Sequence, residues 1–171
     1  MTERLVSAII DSPVGPLTVV VSDRGVRAVL WPADDERRVP SAGSLDADAA
    51  GTHPVIDDVQ RQLGEYFDGN RTDFDLPLDP IGTEFQQQAW LALRTIPYGA
   101  TVSYGEQAER MGDKNKARAV GAANGKNPIS IIVPCHRVVG SNGSLTGFAG
   151  GVDTKRFLLD HERRVAGQTL L

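Results

Sequence analysis

The chain has 171 residues, 40% of them hydrophobic, which is enough for one domain or two small ones around a real core. It contains no apolar run of about 18 residues, which excludes a membrane-spanning helix, and Met1-Thr2-Glu3-Arg4 leads into an alternating segment, unlike a signal-peptide core. The net charge of −4 is unevenly spread: residues 1–100 carry 8 Lys and Arg against 16 Asp and Glu, residues 101–171 carry 10 against 6, so only the C-terminal part suits a phosphate-bearing partner.

Leu5 to Ile10, Leu17 to Ser22 and Val26 to Trp31 are short runs rich in β-branched residues. Turn-formers separate them, Asp11-Ser12-Pro13-Val14-Gly15-Pro16 and Asp23-Arg24-Gly25, and the pattern predicts an antiparallel meander. Residues 32–51 are acidic, rich in Ala and Ser and without apolar periodicity, so a long loop is expected. Val55, Val59, Leu63 and Phe67 recur at four-residue spacing and predict a helix from Pro54 to Phe67. Phe74, Leu76 and Leu78 alternate as a short extended piece, and Pro80-Ile81-Gly82 closes an N-terminal mixed domain, residues 1–80.

A second domain, 81–171, opens on a helix signal. Thr83 with Gln86 forms a capping-box pattern ahead of the apolar stripe Phe85, Ala89, Trp90 and Leu93, and Ile96-Pro97-Tyr98-Gly99 ends it. Ser103 with Glu106 repeats the capping box for a helix running to about Met111. After the turn Gly112-Asp113-Lys114-Asn115, Lys116 to Asn124 is a third helix, and the pair has a helix-turn-helix outline. The fold class is therefore α+β, with a mostly helical second domain.

The one cysteine lies further on. Ile129 to Val133 is apolar except for Ser130 and reads as a short buried segment, which Pro134 must end by removing a backbone donor. Cys135, His136 and Arg137 follow, so a thiol sits at a break in a buried segment beside an imidazole. Most free cysteines are small core hydrophobes, and the residues alone leave that reading open. A lone cysteine fits a reducing cytoplasm, and with three histidines it shows no metal-ligand spacing, so neither a metal nor a cofactor is expected. Beyond Val138 and Val139, Gly140-Ser141-Asn142-Gly143-Ser144 is a hairpin-type turn, Thr146 to Gly151 a small-residue loop, and Val152 to about Arg164 a final helix with Phe157, Leu158 and His161 on one side. Residues 165–171 are expected to fray.

Pro134-Cys135-His136-Arg137-Val138 after an apolar run resembles the active-site signature of the O6-alkylguanine-DNA alkyltransferases, which repair DNA by direct reversal. Tyr104 after Ser103, Arg118-Ala119-Val120-Gly121, Asn127-Pro128 and His161-Glu162 stand at matching order and spacing, so the resemblance covers roughly residues 83 to 162. The N-terminal domain matches in general plan only, as a small RNase-H-like domain.

The resemblance implies a role for each matched residue. Cys135 is the alkyl acceptor, used once per molecule because a thioether has no cheap route back to a thiol. His136 takes its proton through a bridging water, and Glu162 orients the imidazole. Tyr104 hydrogen-bonds the base and assists its protonation, and Asn127 braces the turn carrying the cysteine. The carbonyls of Cys135 and Val138 accept from the exocyclic amine of guanine. Arg118 fills the stack when the base is flipped from the minor-groove side, and Lys114, Lys116 and Lys126 meet phosphates. Phe148 and Ala149 line the base pocket where many relatives carry tyrosine and serine; both changes bear on tolerance of bulky alkyl groups. The expected partner is double-stranded DNA containing O6-alkylguanine, met by a cytoplasmic monomer, with cooperative binding left open. Two rivals stand beside this reading: an alkyltransferase-like lesion-binding protein, whose members lack the cysteine, and a Cys-His-Glu hydrolase.

Overall fold

A computed structural model describes residues 4–32, 34, 53–145 and 147–169, so nearly all of the expected loop at 32–51 lies outside the described residues. The chain forms two compact units: Met1–Ile81 joined by Pro128–Ile132, and Gly82–Asn127 with Val133–Leu171.

In the first unit, β1 (Val6–Ile10), β2 (Leu17–Ser22) and β3 (Gly25–Leu30) form an antiparallel sheet in the order β1-β2-β3. The meander follows from its turns. Ser12 Oγ accepts from the Val14 amide and donates to the Gly15 carbonyl, which closes the first. At the second, Gly25 has a φ of 149°, and an added Cβ would lie 2.4 Å from the Pro77 carbonyl oxygen, so only glycine fits. That carbonyl accepts from the Val26 amide at 2.8 Å, which ties the 74–78 segment to β3. A register shift between Val20 and Val21 interrupts the β2–β3 pairing. Leu17, Val19, Val20 and Val21 are all buried.

Helix α1 (Pro54–Phe67) starts with His53 Nδ1 accepting from the Val55 amide and with proline in its first turn. Its buried side is Ile56, Val59, Gln62, Leu63 and Tyr66, not the expected Val55–Phe67 row. A strict four-residue spacing drifts around a helix of 3.6 residues per turn, so the two ends of that row leave the core face. Gln62 is buried and satisfied, pairing with the backbone of Asp75 through two bonds of 2.9 Å. Arg27, in the centre of β3, is also buried. Its guanidinium bonds the carbonyl and carboxylate of Asp79, and Ser22 Oγ donates to the same carboxylate. Burial pushes the Asp79 carboxyl up, but Ser22 and Arg27 outweigh it and hold it below the usual range.

The second unit holds α2 (Glu84–Leu93), β4 (Val102–Ser103), α3 (Tyr104–Arg110), α4 (Ala117–Gly125), β5 (Val138–Val139) and α5 (Val152–Thr169). Both expected capping boxes form, Thr83 with Gln86 and Ser103 with Glu106. The turn between α3 and α4 tightens into a 3₁₀ turn, Lys114–Lys116, capped by Asp113, so α4 begins one residue later than expected. Buried polar side chains set the angle of the three helices. Gln107 and Asn124 exchange two bonds of 3.1 and 2.7 Å, Gln107 also donates to the Ala89 carbonyl, and Trp90 Nε1 donates to the Ala123 carbonyl. β4 and β5 pair in parallel, Val102 with Val138 and Ser103 with Val139. That pairing sets the start of α3 beside the strand that leaves the cysteine.

The turn expected at Asn142-Gly143 forms, with the Gly143 amide bonded to the Gly140 carbonyl. Two expectations about the final helix need correction. Residues from Val165 do not fray as a group: α5 runs to Thr169 because Val165 is buried and anchors the extra turn. Phe157, expected beside Leu158 and His161, is the exposed member of the three.

Candidate active site

The cysteine is presented by backbone geometry that periodicity cannot show. Pro128 to Val133 are buried, as the apolar run predicts, but they form no strand. Ile131 has a φ of 71°, and the Ile132 amide bonds the Ser130 carbonyl at 2.8 Å, the pattern of a γ-turn of the rare positive-φ kind. A β-branched residue in that region is strained, and buried packing must hold it there. Pro134 follows with φ −84° and ψ 66°, and the Cys135 amide bonds the Val133 carbonyl, an inverse γ-turn. Asn127 Nδ2 donates to that Val133 carbonyl at 2.9 Å. Cys135 then opens a 3₁₀ turn, Cys135–Arg137, and is partly exposed while its neighbours are buried.

His136 is fully buried, and its Nε2 lies 2.7 Å from Glu162 Oε2. Burial alone would favour the neutral acid at Glu162. The charge and hydrogen bond of His136, with the hydrogen bonds and charge of Arg137, outweigh it and keep the carboxyl well below the usual range. For His136, burial is the largest influence and lowers its pKa, Arg137 and Lys155 push the same way, and Glu162 opposes them. The pair therefore rests as neutral imidazole and carboxylate. An ionised carboxylate only accepts, so Nε2 carries the hydrogen and Nδ1 keeps its lone pair. Nδ1 is buried with no hydrogen-bond partner among the described residues. One residue from the thiol stands a proton acceptor of fixed tautomer.

Two charged residues join this centre that the sequence did not assign to it. Arg137, two residues after the thiol, turns to Glu162. Lys155 is 1% exposed; its Nζ lies 6.0 Å from the Tyr104 ring centroid and 5.9 Å from that of Phe148. Burial lowers the Lys155 pKa, and the charge of Cys135 opposes that shift, so the ammonium and the sulfur feel each other. An ammonium coupled to the sulfur favours its thiolate form. A signal for Lys155 was present: Lys155, Leu158, Leu159 and Glu162 fall at i, i+3, i+4 and i+7, a Lys and a Glu closing the ends of one buried helix stripe. Lys155 thus gathers Tyr104, Phe148 and Cys135, while Val138 is buried directly after the turn and its amide bonds the Cys135 carbonyl.

Known proteins resolve what such a centre belongs to. Residues 5–80 match the model for the ribonuclease-like domain of 6-O-methylguanine DNA methyltransferase, and residues 84–164 match the model for its DNA binding domain. The methylated-DNA–protein-cysteine methyltransferase of Mycobacterium tuberculosis strain H37Rv is 49% identical over 156 residues, which span 90% of each chain. The chain belongs to the 6-O-methylguanine DNA methyltransferase family. The Methanosarcina acetivorans methylated-DNA–protein-cysteine methyltransferase is 44% identical over 91% of this chain and 96% of its own. Among solved structures, M. tuberculosis O6-methylguanine methyltransferase superposes with a TM-score of 0.81 at 44% identity, covering 95% of this chain and 94% of that one. The crystal structure of M. tuberculosis OGT in complex with DNA gives 0.77 at 43%, with the same coverage.

The remaining candidates of this family member lie on its helix-turn-helix and the loop before α5. Arg118, Lys114, Lys116 and Lys126 are all exposed, and Ala149 is exposed in the loop. Lys116 stands over the Phe85 ring at 5.7 Å, at a cavity of about 260 Å³ lined also by Met111 and Val120, which holds none of the residues around the cysteine. Among the described residues no cluster of His, Cys, Asp and Glu could hold a metal, and no helix is long and apolar enough to cross a membrane.

Proposed function

We propose that the protein repairs DNA by moving the alkyl group of O6-alkylguanine irreversibly onto Cys135, one group per molecule. The observation that carries this reading is the buried His136, bonded through Nε2 to an ionised Glu162 with Nδ1 left as acceptor, adjacent to the chain's single cysteine. The thiol proton passes to Nδ1 through a water molecule, and the imidazolium that forms is stabilised by Glu162. The thiolate attacks the alkyl carbon in line; the S–C bond forms as the C–O bond breaks, and the electron pair stays on the purine. The Tyr104 hydroxyl hydrogen-bonds the purine and assists its protonation, and the proton that His136 took from the thiol balances the one the purine gains, so the products are guanine and S-alkylcysteine. Val138 and the Cys135 carbonyl select guanine, Phe148 and Ala149 line the base pocket, and Asn127 holds the Val133 carbonyl at the turn.

The target base is stacked in a duplex, so it must be flipped out before attack. The helix-turn-helix of α3 and α4 enters the minor groove, Arg118 occupies the vacated stack, and Lys114, Lys116 and Lys126 meet phosphates. All these residues belong to the C-terminal domain, 81–171; the N-terminal domain, 1–80, supplies none. A reduced thiol suits the cytoplasm, and a single flipped base requires one monomer.

Intact mass spectrometry after mixing with a duplex containing O6-methylguanine tests the reading. One added methyl, mapped to Cys135, is expected, and Cys135→Ser should bind the duplex without gaining mass, because an alcohol ionises far less readily than a thiol. A methyl on another residue refutes the acceptor. Binding without any mass change in the wild type makes the protein a lesion-binding module instead.

A further inference from the structure

Arg137 follows the proposed base in sequence and could be expected to crowd the thiol with charge. The geometry assigns it elsewhere. Its Nε donates to Glu162 Oε1 at 2.8 Å and its Nη2 to Oε2 at 3.2 Å, a fork on the same carboxylate that accepts from His136 at 2.7 Å. The remaining nitrogen, Nη1, donates to the Ile96 carbonyl at 2.8 Å, just beyond α2, and the guanidinium lies over the Tyr98 ring with 5.5 Å to the centroid. All three nitrogens are thus engaged, and Arg137 is buried with Glu162.

A carboxylate with no solvent exposure cannot remain charged and oriented on one imidazole bond alone. One such bond would also leave it free to rotate about its own axis and carry the ring with it. A planar fork to both oxygens removes that freedom, and anchoring the guanidinium to Ile96 fixes the fork against a second element. We propose that Arg137 is a positioning residue for alkyl transfer: it locks the Glu162 carboxylate and balances its charge, so that His136 stands as a neutral base with Nδ1 available for the Cys135 proton. The proposal rests on the reading of Cys135 as acceptor and His136 as base.

Among the described residues, charged and titratable groups reach this centre from three segments. From α5 come Glu162 and Lys155 and, acting on Tyr98, Arg164; from its own turn come Cys135 and Arg137; and from the loop after α2 comes Tyr98, which burial and Glu162 keep protonated against Arg137 and Arg164. Removing the Arg137 charge therefore leaves Glu162 acting on His136 against burial and Lys155, with one opposing charge fewer. The imidazole should then hold its proton to higher pH and be lost as a base there.

The test is the single-turnover rate between pH 5.5 and 9, on O6-methylguanine duplex and on free O6-benzylguanine, for wild type, Arg137→Met and Arg137→Lys. Arg137→Met should move the acid limb of the profile upward by about one pH unit on both substrates. Arg137→Lys keeps the charge but not the fork, so the midpoint should stay while the rate falls about tenfold. A rate loss in Arg137→Met with no shift of the midpoint would reduce Arg137 to a structural residue and overturn the proposal, as would a loss seen on duplex alone. Should Arg137→Met fail to fold, Arg137→Lys decides, and a rate within about twofold of wild type overturns it. Mass spectrometry of the wild type separates the two readings: methyl on Cys135 upholds the underlying reaction whatever the Arg137 variants do, and methyl elsewhere or nowhere refutes both.

Discussion

At the scale of single residues, the chemistry depends on which groups stay charged out of water. Glu162 is buried yet ionised because His136 and Arg137 together supply three hydrogen bonds to its two oxygens. That arrangement couples the fold to pH, with a definite sign. The folded pKa of Glu162 lies below its unfolded value of about 4.3, so its stabilisation is complete above that value and is lost as pH falls. His136 has a lowered folded pKa as well; the unfolded imidazole gains a proton below about 6.5 while the folded one resists, so stability already begins to fall there. Glu162→Gln leaves Arg137 buried without its counter-charge and should cost about 3–5 kcal/mol at pH 7. The gap between wild type and Glu162→Gln, followed by urea unfolding, should narrow steadily as pH drops from about 4 to 2, because the unfolded wild type takes up a proton at Glu162 that the folded one resists. A gap that stays constant over that range would mean Glu162 is not ionised in the folded state.

At the scale of elements, the segment before the cysteine shows where pattern reading stops. The caps of α2 and α3 were legible because a capping box is a local contract between side chain and backbone three residues apart, and both formed as expected. Burial of Ile129 to Val133 was legible from hydrophobicity. Its conformation was not, since two successive γ-turns leave no periodic signature and a positive φ at Ile131 runs against the residue's own preference. Arg137 and Lys155 escaped for a related reason: their partners, Glu162 and Cys135, lie 25 and 20 positions away, and only the folded chain brings charges so far apart in sequence together. The strain at Ile131 can be measured by comparison. Ile129 and Ile131 are both fully buried, so mutation of either to glycine removes a similar side chain. At Ile131 the change also releases the left-handed conformation, worth about 1–3 kcal/mol. Ile131→Gly should therefore destabilise by about 1–3 kcal/mol less than Ile129→Gly in urea unfolding. Equal losses would place the strain elsewhere.

At the scale of the whole molecule, the proposed function gives DNA handling and alkyl transfer to different side chains, so the two can be tested apart. Cys135 and His136 lie in the turn that Glu162 of α5 meets, whereas Arg118 is exposed on α4. If its guanidinium holds a flipped duplex open, Arg118→Ala leaves the unstacked gap unfilled. That gap costs a few kcal/mol, on the order of a hundredfold in rate. Free O6-benzylguanine needs no flipping, so its reaction with Cys135 should be nearly unchanged, and single-stranded substrate should fall between. Salt separates this effect from plain phosphate binding. Lys114→Ala, Lys116→Ala or Lys126→Ala should weaken duplex binding and flatten its dependence on salt concentration by roughly one counterion each, without the large loss of rate at saturating DNA. The decisive comparison is a pair of single-turnover rates, duplex against free base, on wild type and Arg118→Ala. Equal losses on both substrates would place Arg118 in the support of the pocket or the fold, and the helix-turn-helix would lose its assigned part in opening the duplex.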